Sequence, residues 1–306
     1  MPSPAVIAAT DFTPRSAQVA GRAALIAKAL GARLILAHAL PEPAEPEPAE
    51  AMAAEGAQPP DGDPAPEKPG TLGRLARRLR LLPSVTSAPD ALALLRAGAR
   101  STGPGTRVRL VYGPPGPALA QLAQEENARL LVLGLHRERR VLDLMRLTSM
   151  EHIVLEAAVP VLIAHRDHAD NYRNVLGLTD FSPAAARALA MGGRIAPGAQ
   201  FHAIHALQLP LGTRFSADDP AADAALTRAE LLRDAFLGMA DMPALAEPPE
   251  IVPGGVHEVL DFRQRELGAE LVCIGTHSGR DPQQLGNYAR DLMRAPPSDL
   301  LVAKPL

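Results

Sequence analysis

The chain has few of the residues that mark several large classes of protein. It contains no Trp and a single Cys among its 306 residues, and aromatic residues make up only 3% of it. One Cys excludes an internal disulfide and a zinc site built from several Cys ligands. The scarcity of aromatic rings argues against a platform on which nucleic-acid bases stack. A lone thiol also fits a reducing, cytoplasmic compartment, which is where we expect the protein.

Charge and hydropathy argue against two kinds of partner. The formal net charge is −3, with 31 Lys and Arg against 34 Asp and Glu, whereas a general nucleic-acid binder carries a strong basic excess. No apolar run reaches the roughly 18 residues that a membrane-spanning helix needs. The first residues also lack the basic region and long apolar stretch of a signal peptide. We therefore expect neither nucleic acid nor a membrane as a partner.

An internal repeat organises the sequence. Residues 5–14, AVIAATDFTP, match residues 174–183, NVLGLTDFSP. Three further matches follow in the same order, and they pair 34–40 with 201–207, 128–136 with 269–277, and 159–164 with 298–303. Four ordered matches indicate that one domain has been duplicated. We expect the first copy to occupy residues 1–166 and the second to occupy residues 171–306.

Each copy alternates short runs rich in Val, Ile and Leu with longer helical stretches, such as 15–30 and 117–127. Near-continuous apolar runs are typical of strands that are covered on both faces. The alternation predicts an α/β fold of two tandem doubly wound, Rossmann-like domains, each with a parallel sheet of five strands. Thr13-Pro14 and Ser182-Pro183 combine a capping hydroxyl with Pro at the first helical position, which predicts two helix starts.

Residues 41–70 depart from this pattern. They contain nine Pro, eight acidic side chains and one basic side chain. Low apolar content and charge of one sign are typical of segments that cannot bury a core. We therefore predict a disordered insert between the second and third strands of the first copy.

One acidic residue follows the first strand of each copy, Asp11 in the first and Asp180 in the second. Ligands of doubly wound sheets bind at the carboxyl ends of the strands, where a carboxylate can accept hydrogen bonds from a nucleoside amino or hydroxyl group. The alternative is a carboxylate at a helix start that is stabilised by the helix dipole. The two roles can coexist.

Other reactive residues point to structural roles. His38 and His205 lie in apolar second strands, where we expect partly buried, hydrogen-bonded rings rather than catalytic bases. Cys273 lies in an apolar strand and is expected to be an inert core thiol. The His and Asp residues of segment 165–170 are expected to form a polar connection between domains rather than a metal site. No nucleophile elbow or P-loop is present, so we do not expect an enzyme.

The sequence resembles the universal stress protein family in the phrases TDFTP (10–14) and TDFSP (179–183), and in GLH (134–136) and GTH (275–277). The resemblance covers nearly all of the chain except 41–70, and it is to a tandem member with two such domains. It implies a five-stranded, nucleotide-binding α/β fold, with ATP bound in many members and not in others. It also implies that two domains pair through their last strands, which a tandem chain can do internally.

The resemblance also implies where phosphates would bind, because ATP-binding members carry the motif Gly-x-x-Gly-x9-Gly-Ser/Thr after the fourth strand. The first copy keeps Gly134 and has Thr148 at the hydroxyl position, but Arg137 and Leu147 replace the second and third Gly. A Leu side chain blocks the close approach of phosphate that Gly permits. We expect a degenerate site in the first copy, with Asp11 beside it.

The second copy is closer to the motif. Ser278 stands at the second Gly position with Gly279 beside it, and seven residues rather than nine separate Ser278 from Gly286. Asn287 replaces the hydroxyl residue but can still donate a hydrogen bond. Ala206, after the His of the second strand, would offer backbone groups to a base. The residues expected to hold ATP or AMP are Asp180, Ala206, Gly275, His277, Ser278, Gly279, Gly286 and Asn287.

Our leading hypothesis is a cytoplasmic stress-response or regulatory protein that acts by binding, with an adenine nucleotide in the second domain and an unidentified protein partner. One alternative is a slow nucleotide hydrolase on the same fold, which would need an activated water and usually a metal. The other alternative is an interaction protein that binds no nucleotide.

Overall fold

A computed structural model describes residues 3–13, 15–42, 87–135, 149–167, 169–209, 219–276 and 284–305. The first half contains β1 (Ala5–Ala9), α1 (Ser16–Ala29), β2 (Arg33–Leu40), α2 (Ala88–Thr102), β3 (Arg107–Tyr112), α3 (Pro115–Glu125), β4 (Ala128–Gly134), α4 (Ser149–Glu156) and β5 (Val161–Ala164). The second half contains β6 (Asn174–Leu178), α5 (Pro183–Ile195), β7 (Gln200–Leu207), α6 (Pro220–Leu237), β8 (Glu250–Pro253), α7 (Val256–Leu267), β9 (Leu271–Gly275), α8 (Asn287–Arg294) and β10 (Asp299–Ala303).

All of these strands join one sheet in the order β3-β2-β1-β4-β5-β10-β9-β6-β7-β8. Within each half the pairings are parallel, and the order third, second, first, fourth, fifth strand is the same in both halves. This shared topology confirms the predicted fold of two tandem doubly wound domains with five parallel strands each. At the centre, β5 and β10 pair antiparallel, with Leu162 opposite Leu301.

The inner strands are covered on both faces, as their apolar runs predict, whereas the edge strands β3 and β8 keep exposed residues. Alternate residues enter two separate cores, so that Val6 and Leu130 pack on one face while Ile7 and Leu131 pack on the other. Helices α1, α2, α5 and α6 cover the first face, and α3, α4, α7 and α8 cover the second. None of the helices described is long and apolar enough to cross a lipid bilayer.

The two predicted helix starts differ in outcome. Ser182 caps α5 as predicted, because its hydroxyl accepts a hydrogen bond from the Ala185 N–H at 3.3 Å. The predicted cap at Thr13 is wrong, since α1 begins at Ser16 without a side-chain cap bond. The Ser16 N–H donates to the Thr13 carbonyl at 2.9 Å and not to the Thr13 hydroxyl, while the Ser16 hydroxyl donates to Asp11 at 3.2 Å.

The predicted insert at 41–70 lies almost entirely outside the described residues, which include only Pro41 and Glu42 of it.

Candidate functional site

A tight turn carries the chain from β6 into α5 and holds Asp180 at the carboxyl end of the sheet. The Phe181 N–H donates to the Thr179 hydroxyl at 2.8 Å, and the Ser182 N–H donates to Asp180 Oδ1 at 3.1 Å. Phe181 adopts φ 64°, a left-handed conformation that is uncommon for a residue other than Gly. Asp180 is half-buried. Its carboxylate thus stabilises the helix start and retains acceptor capacity at Oδ2 for a ligand.

The first copy repeats this turn, and its carboxylate accepts an additional hydrogen bond from a side chain. The Phe12 N–H donates to the Thr10 hydroxyl at 3.1 Å, and the Thr13 N–H donates to Asp11 at 3.0 Å. Asp11 also accepts a hydrogen bond from the Ser16 hydroxyl at 3.2 Å and is exposed. Both Asp residues therefore serve at a helix start, the alternative role considered for them, and Asp11 has the more occupied carboxylate.

A histidine braces each turn from the neighbouring strand. His205 Nδ1 lies 2.8 Å from the Thr179 carbonyl oxygen, and its ring stacks on Phe181 at a centroid distance of 4.6 Å. In the first copy, His38 Nδ1 lies 2.6 Å from the Thr10 carbonyl oxygen. The carbonyl can only accept, so Nδ1 carries the proton and Nε2 of the neutral ring is an acceptor. The expected partly buried, hydrogen-bonded histidines are confirmed.

A cavity of about 330 Å³ opens at the carboxyl ends of β6, β7 and β9. This volume lies within the range of sites for small organic ligands. Four of the predicted binding residues line the cavity: Asp180, Ala206, Gly275 and Gly286. The rest of its lining is Leu178, Thr179, His205, Leu207, Gln208, Val256, Ile274, Thr276, Tyr288, Ala289 and Leu292.

Gly275 is also required by the packing of β9 against α5. A Cβ at this position would lie 2.9 Å from the Ala184 Cβ and 3.0 Å from the backbone nitrogen of Ala185. Gly134 has the corresponding place in the first copy, where a Cβ would lie 2.9 Å from Val19 Cγ2. The Gly that ends each fourth strand therefore has a packing role that is independent of any ligand.

Gly286 lines the cavity together with Asp180. Its N–H donates to the Thr276 carbonyl at 2.9 Å, which joins the start of α8 to the end of β9. Gly286 occupies the N-cap position of α8, so the first turn of that helix begins beside the cavity. Helix N-termini present N–H groups and a partial positive charge that favour anions.

Among the lining residues that were not predicted from the sequence, Gln208 after β7 and Tyr288 in α8 form a polar pair. The Gln208 side-chain amide donates to the Tyr288 hydroxyl, and both residues line the cavity. The Tyr288 ring also packs near the His257 ring, at a centroid distance of 5.3 Å. No local motif marks either residue, because their contact joins positions 80 residues apart.

The other predicted residues are not brought together in the same way. Asn287 is the first residue of α8 and is exposed, beside the cavity rather than in its lining. The remaining three predicted residues of the second copy and one of the first lie outside the described residues, namely His277, Ser278, Gly279 and Thr148. The same holds for Arg137 and Leu147.

The charge of the described lining is small and negative. Asp180 is its one Asp, Glu, Lys or Arg side chain, so in this part of the chain the backbone, and not a cation, is what could attract a phosphate.

Burial raises the pKa of the Cys273 thiol, as expected for an inert core residue. The described residues contain no group of three or more His, Cys, Asp or Glu that could hold a metal ion.

Comparison with known proteins gives one family. A sequence model of the universal stress protein family matches residues 4–165 and again residues 171–304. No curated protein sequence is significantly similar to the chain. The fold is similar to that of a universal stress protein from Archaeoglobus fulgidus DSM 4304, with a TM-score of 0.61 and 16% identity over 99% of this chain and 97% of that one.

A second crystal structure, of a functionally unknown protein from Pseudomonas aeruginosa PAO1, is similar with a TM-score of 0.56 and 16% identity. That alignment covers 99% of this chain and 93% of the other. At such identities these structures show a shared fold along the whole chain.

Proposed function

Because the chain belongs to the universal stress protein family and carries two of its domains in tandem, we propose that it acts by binding an adenine nucleotide in the second domain. We place the domains at residues 1–166 and 171–306. The observation that carries the proposal is the cavity of about 330 Å³ at the carboxyl ends of β6, β7 and β9. It combines a carboxylate, strand-end backbone and a helix start around one apolar space.

The nucleoside would occupy the part of the cavity between Asp180 and the end of β7. Asp180 Oδ2 would accept a hydrogen bond from a ribose hydroxyl or a base amino group. The backbone at Ala206 would pair with the edge of the base. Apolar side chains of Leu178, Val256 and Leu292 line the same space and can cover the faces of an adenine ring.

The phosphates would extend toward the start of α8. Gly286 lines the cavity there without side-chain bulk, and the helix N-terminus favours an anion. Asn287 follows it, and His277, Ser278 and Gly279 belong to the segment that joins β9 to this point. The spacing between Ser278 and Gly286 is two residues shorter than in the motif, which alters the phosphate loop, and the ligand we propose for this site is ATP or AMP.

The first domain is proposed not to bind nucleotide. Asp11 accepts hydrogen bonds at Oδ1 from both the Thr13 N–H and the Ser16 hydroxyl, so its carboxylate is engaged at the helix start. The motif residues Gly134 and Thr148 are kept there, but Leu147 replaces the Gly that phosphate would approach. We propose instead that the first domain pairs with the second within the chain, and the antiparallel ladder between β5 and β10 supports this.

In this proposal the protein is a cytoplasmic stress-response regulator, and its bound nucleotide changes the surface offered to a protein partner. A ligand can do this only through different affinities for two states of the surface. The proposed activity is binding and not turnover, in line with a sequence that contains neither a nucleophile elbow nor a P-loop.

Calorimetric titration of the full chain with ATP and with AMP tests the proposal. We expect one nucleotide per chain. Asp180→Ala should weaken binding at least about tenfold, because it removes a hydrogen bond to a charged acceptor. Asp11→Ala is the matched control, since it removes the equivalent carboxylate of the first domain, and it should leave the affinity unchanged.

Three results would count against the proposal. If the unmodified chain binds neither nucleotide, the result favours the alternative of an interaction protein that binds no nucleotide. Equal losses in the Asp180 and Asp11 variants would remove the assignment to the second domain. Steady release of phosphate from ATP that is lost in Asp180→Ala would show a hydrolase.

A further inference from the structure

The two domains are related by an approximate twofold axis through the centre of the sheet. Leu162 of β5 pairs with Leu301 of β10, and these residues are also equivalent in the repeat, 139 positions apart. The neighbouring pairs, Leu300 with Ile163 and Val302 with Val161, follow the same symmetry. Residues equivalent in the repeat therefore face the axis from opposite sides.

Helices α4 and α8 flank this axis on one face of the sheet, and they differ in charge at two equivalent positions. Glu151 and Arg290 are 139 positions apart, as are Leu155 and Arg294. Glu151 is completely buried, with a side-chain exposure of 0%, and its Oε1 lies 3.2 Å from Arg294 Nε and 3.7 Å from Arg290 Nε. The acid comes from the first domain and both bases come from the second.

A second charged pair crosses the junction on the other face. Arg22 Nε of α1 lies 3.0 Å from Asp299 Oδ2 of β10, and their side chains are only 3% and 1% exposed. Tyr172 donates a hydrogen bond to the same oxygen at 2.7 Å. The repeat places Met191 at the position equivalent to Arg22 and Pro160 at the position equivalent to Asp299. Neither charge is thus present in the other copy.

From these two pairs we propose that the domains have diverged into complementary halves that recognise each other and not themselves. The contact surface of the first domain contains Glu151 and Arg22. It fits the contact surface of the second domain, which contains Arg294 and Asp299. The inference rests on the proposed pairing of the domains within the chain, and it is independent of nucleotide binding.

Pairing of like domains would leave the buried charges uncompensated. Two first domains would bring Glu151 against a second Glu151, and two second domains would bring Arg290 and Arg294 against the same cations. A buried charge without its counter-ion is strongly destabilising. The charges therefore favour closure of the tandem chain on itself over association of chains through this junction.

Charge exchange in the full chain tests the proposal. The variants are Glu151→Arg, the double change Arg290→Glu with Arg294→Glu, and all three changes together. We expect each of the first two to lower the melting temperature by more than about 5 °C, and the triple variant to recover at least half of the summed loss. The control Arg265→Glu reverses a charge in an exposed ion pair with Asp261, and it should shift the melting temperature by less than about 2 °C.

A parallel series with Gln at the same three positions covers the case in which a buried Arg at position 151 prevents folding. Glu151→Gln should be destabilising alone, and its combination with the two Arg→Gln changes should lose less than the sum. Light scattering should give the mass of one chain for the unmodified protein. Additive losses in both series would overturn charge recognition while leaving the pairing intact. Losses no larger than that of the control would overturn the pairing itself.

Discussion

At the scale of single residues, Gly275 shows how one position can serve both packing and a binding site. It lines the cavity, and it is also where β9 touches the first turn of α5. A side chain there would meet backbone atoms of α5, which cannot move without shifting the helix start that holds Asp180. The demand for Gly therefore comes from the fold as well as from any ligand.

We predict that Gly275→Ala lowers the free energy of unfolding by about 1–3 kcal/mol, because an extra methyl would overpack this contact. Gly198→Ala is the matched control, since a Cβ at Gly198 would have no heavy atom within 4 Å. The control should be neutral or stabilising by less than about 1 kcal/mol. Urea unfolding of both variants measures the difference, and equal stabilities would contradict the packing role.

Asp299 is the second residue with a large predicted effect. Its carboxylate accepts hydrogen bonds from the backbone N–H groups of His165 and Arg166, both at 2.8 Å, in addition to its contacts with Arg22 and Tyr172. Burial, and then the nearby charge of Asp299, raise the pKa of Tyr172 well above its usual value, so its hydroxyl stays a donor. The Asp299 side chain therefore binds residues at both ends of the segment that connects the domains.

Asp299→Ala should lower the free energy of unfolding by about 3–5 kcal/mol, since it leaves Arg22 buried without its counter-ion. Asp261→Ala breaks the exposed pair with Arg265, whose side chains are 51% and 74% exposed, and should cost less than about 1 kcal/mol. Thermal unfolding at neutral pH compares the two variants. A similar small loss in both would show that the buried network contributes little.

Local patterns predicted the residues whose roles are local. The cap at Ser182 and the acidic residue after each first strand could be predicted from neighbours in the sequence, because their partners lie within five residues. The contacts of Asp299 with Arg22 and of Gln208 with Tyr288 could not be predicted. They depend on how distant elements are placed in three dimensions, and no motif signals them.

At the scale of elements, Glu126 fastens the junction between α3 and β4 to two neighbouring strands. It is 7% exposed and accepts hydrogen bonds from Arg109 Nε of β3 and Arg33 Nη1 of β2, both at 2.9 Å. Hydrogen bonds from Arg109 and then Arg33 lower the pKa of Glu126. The cluster joins the outermost strand of the first domain to the end of a helix.

This shift predicts a dependence of stability on pH. A carboxyl group with a lowered pKa in the folded state contributes stability above its unfolded pKa of about 4.3, and this contribution is lost as the pH falls through the folded pKa. Glu126→Gln should therefore lower the melting temperature at pH 7, and its difference from the unmodified chain should shrink below about pH 4.3. Glu125→Gln, which changes the adjacent and exposed carboxylate, should show no such trend. A difference for Glu126→Gln that stays constant with pH would exclude this linkage.

Element types followed from the sequence more closely than element ends. The apolar runs predicted the inner strands because strands that are buried on both faces are rich in apolar residues, whereas the edge strands β3 and β8 include charged residues. The helix expected over 117–127 is α3, which begins two residues earlier at Pro115. The helix α1 begins at Ser16, and the Ser16 N–H pairs with the Thr13 carbonyl, whereas the equivalent Ala185 N–H of the second copy pairs with the Ser182 hydroxyl.

At the scale of the whole molecule, α8 connects the candidate site to the other domain. Its residues Tyr288, Ala289 and Leu292 line the cavity, while Arg290 and Arg294 lie against Glu151 of the first domain. With only eight residues, the helix cannot shift at one face without moving the other. The first domain, even without a nucleotide of its own, would in this way stabilise the position of α8 at the site of the second domain.

We therefore predict, given nucleotide binding in the second domain, that Glu151→Gln weakens binding about three- to tenfold although position 151 lies outside the cavity. Loss of the carboxylate would remove the ion pairs of the two Arg residues of α8, so that this helix becomes less ordered. Because α8 forms part of the cavity lining, the ligand must then order it on binding, and the affinity falls. Titration well below the melting temperatures of all variants separates this effect from unfolding. Glu125→Gln, on α3 of the same domain, is the control and should bind normally. Unchanged affinity in Glu151→Gln, in a chain that binds nucleotide, would show that the site of the second domain is independent of the first.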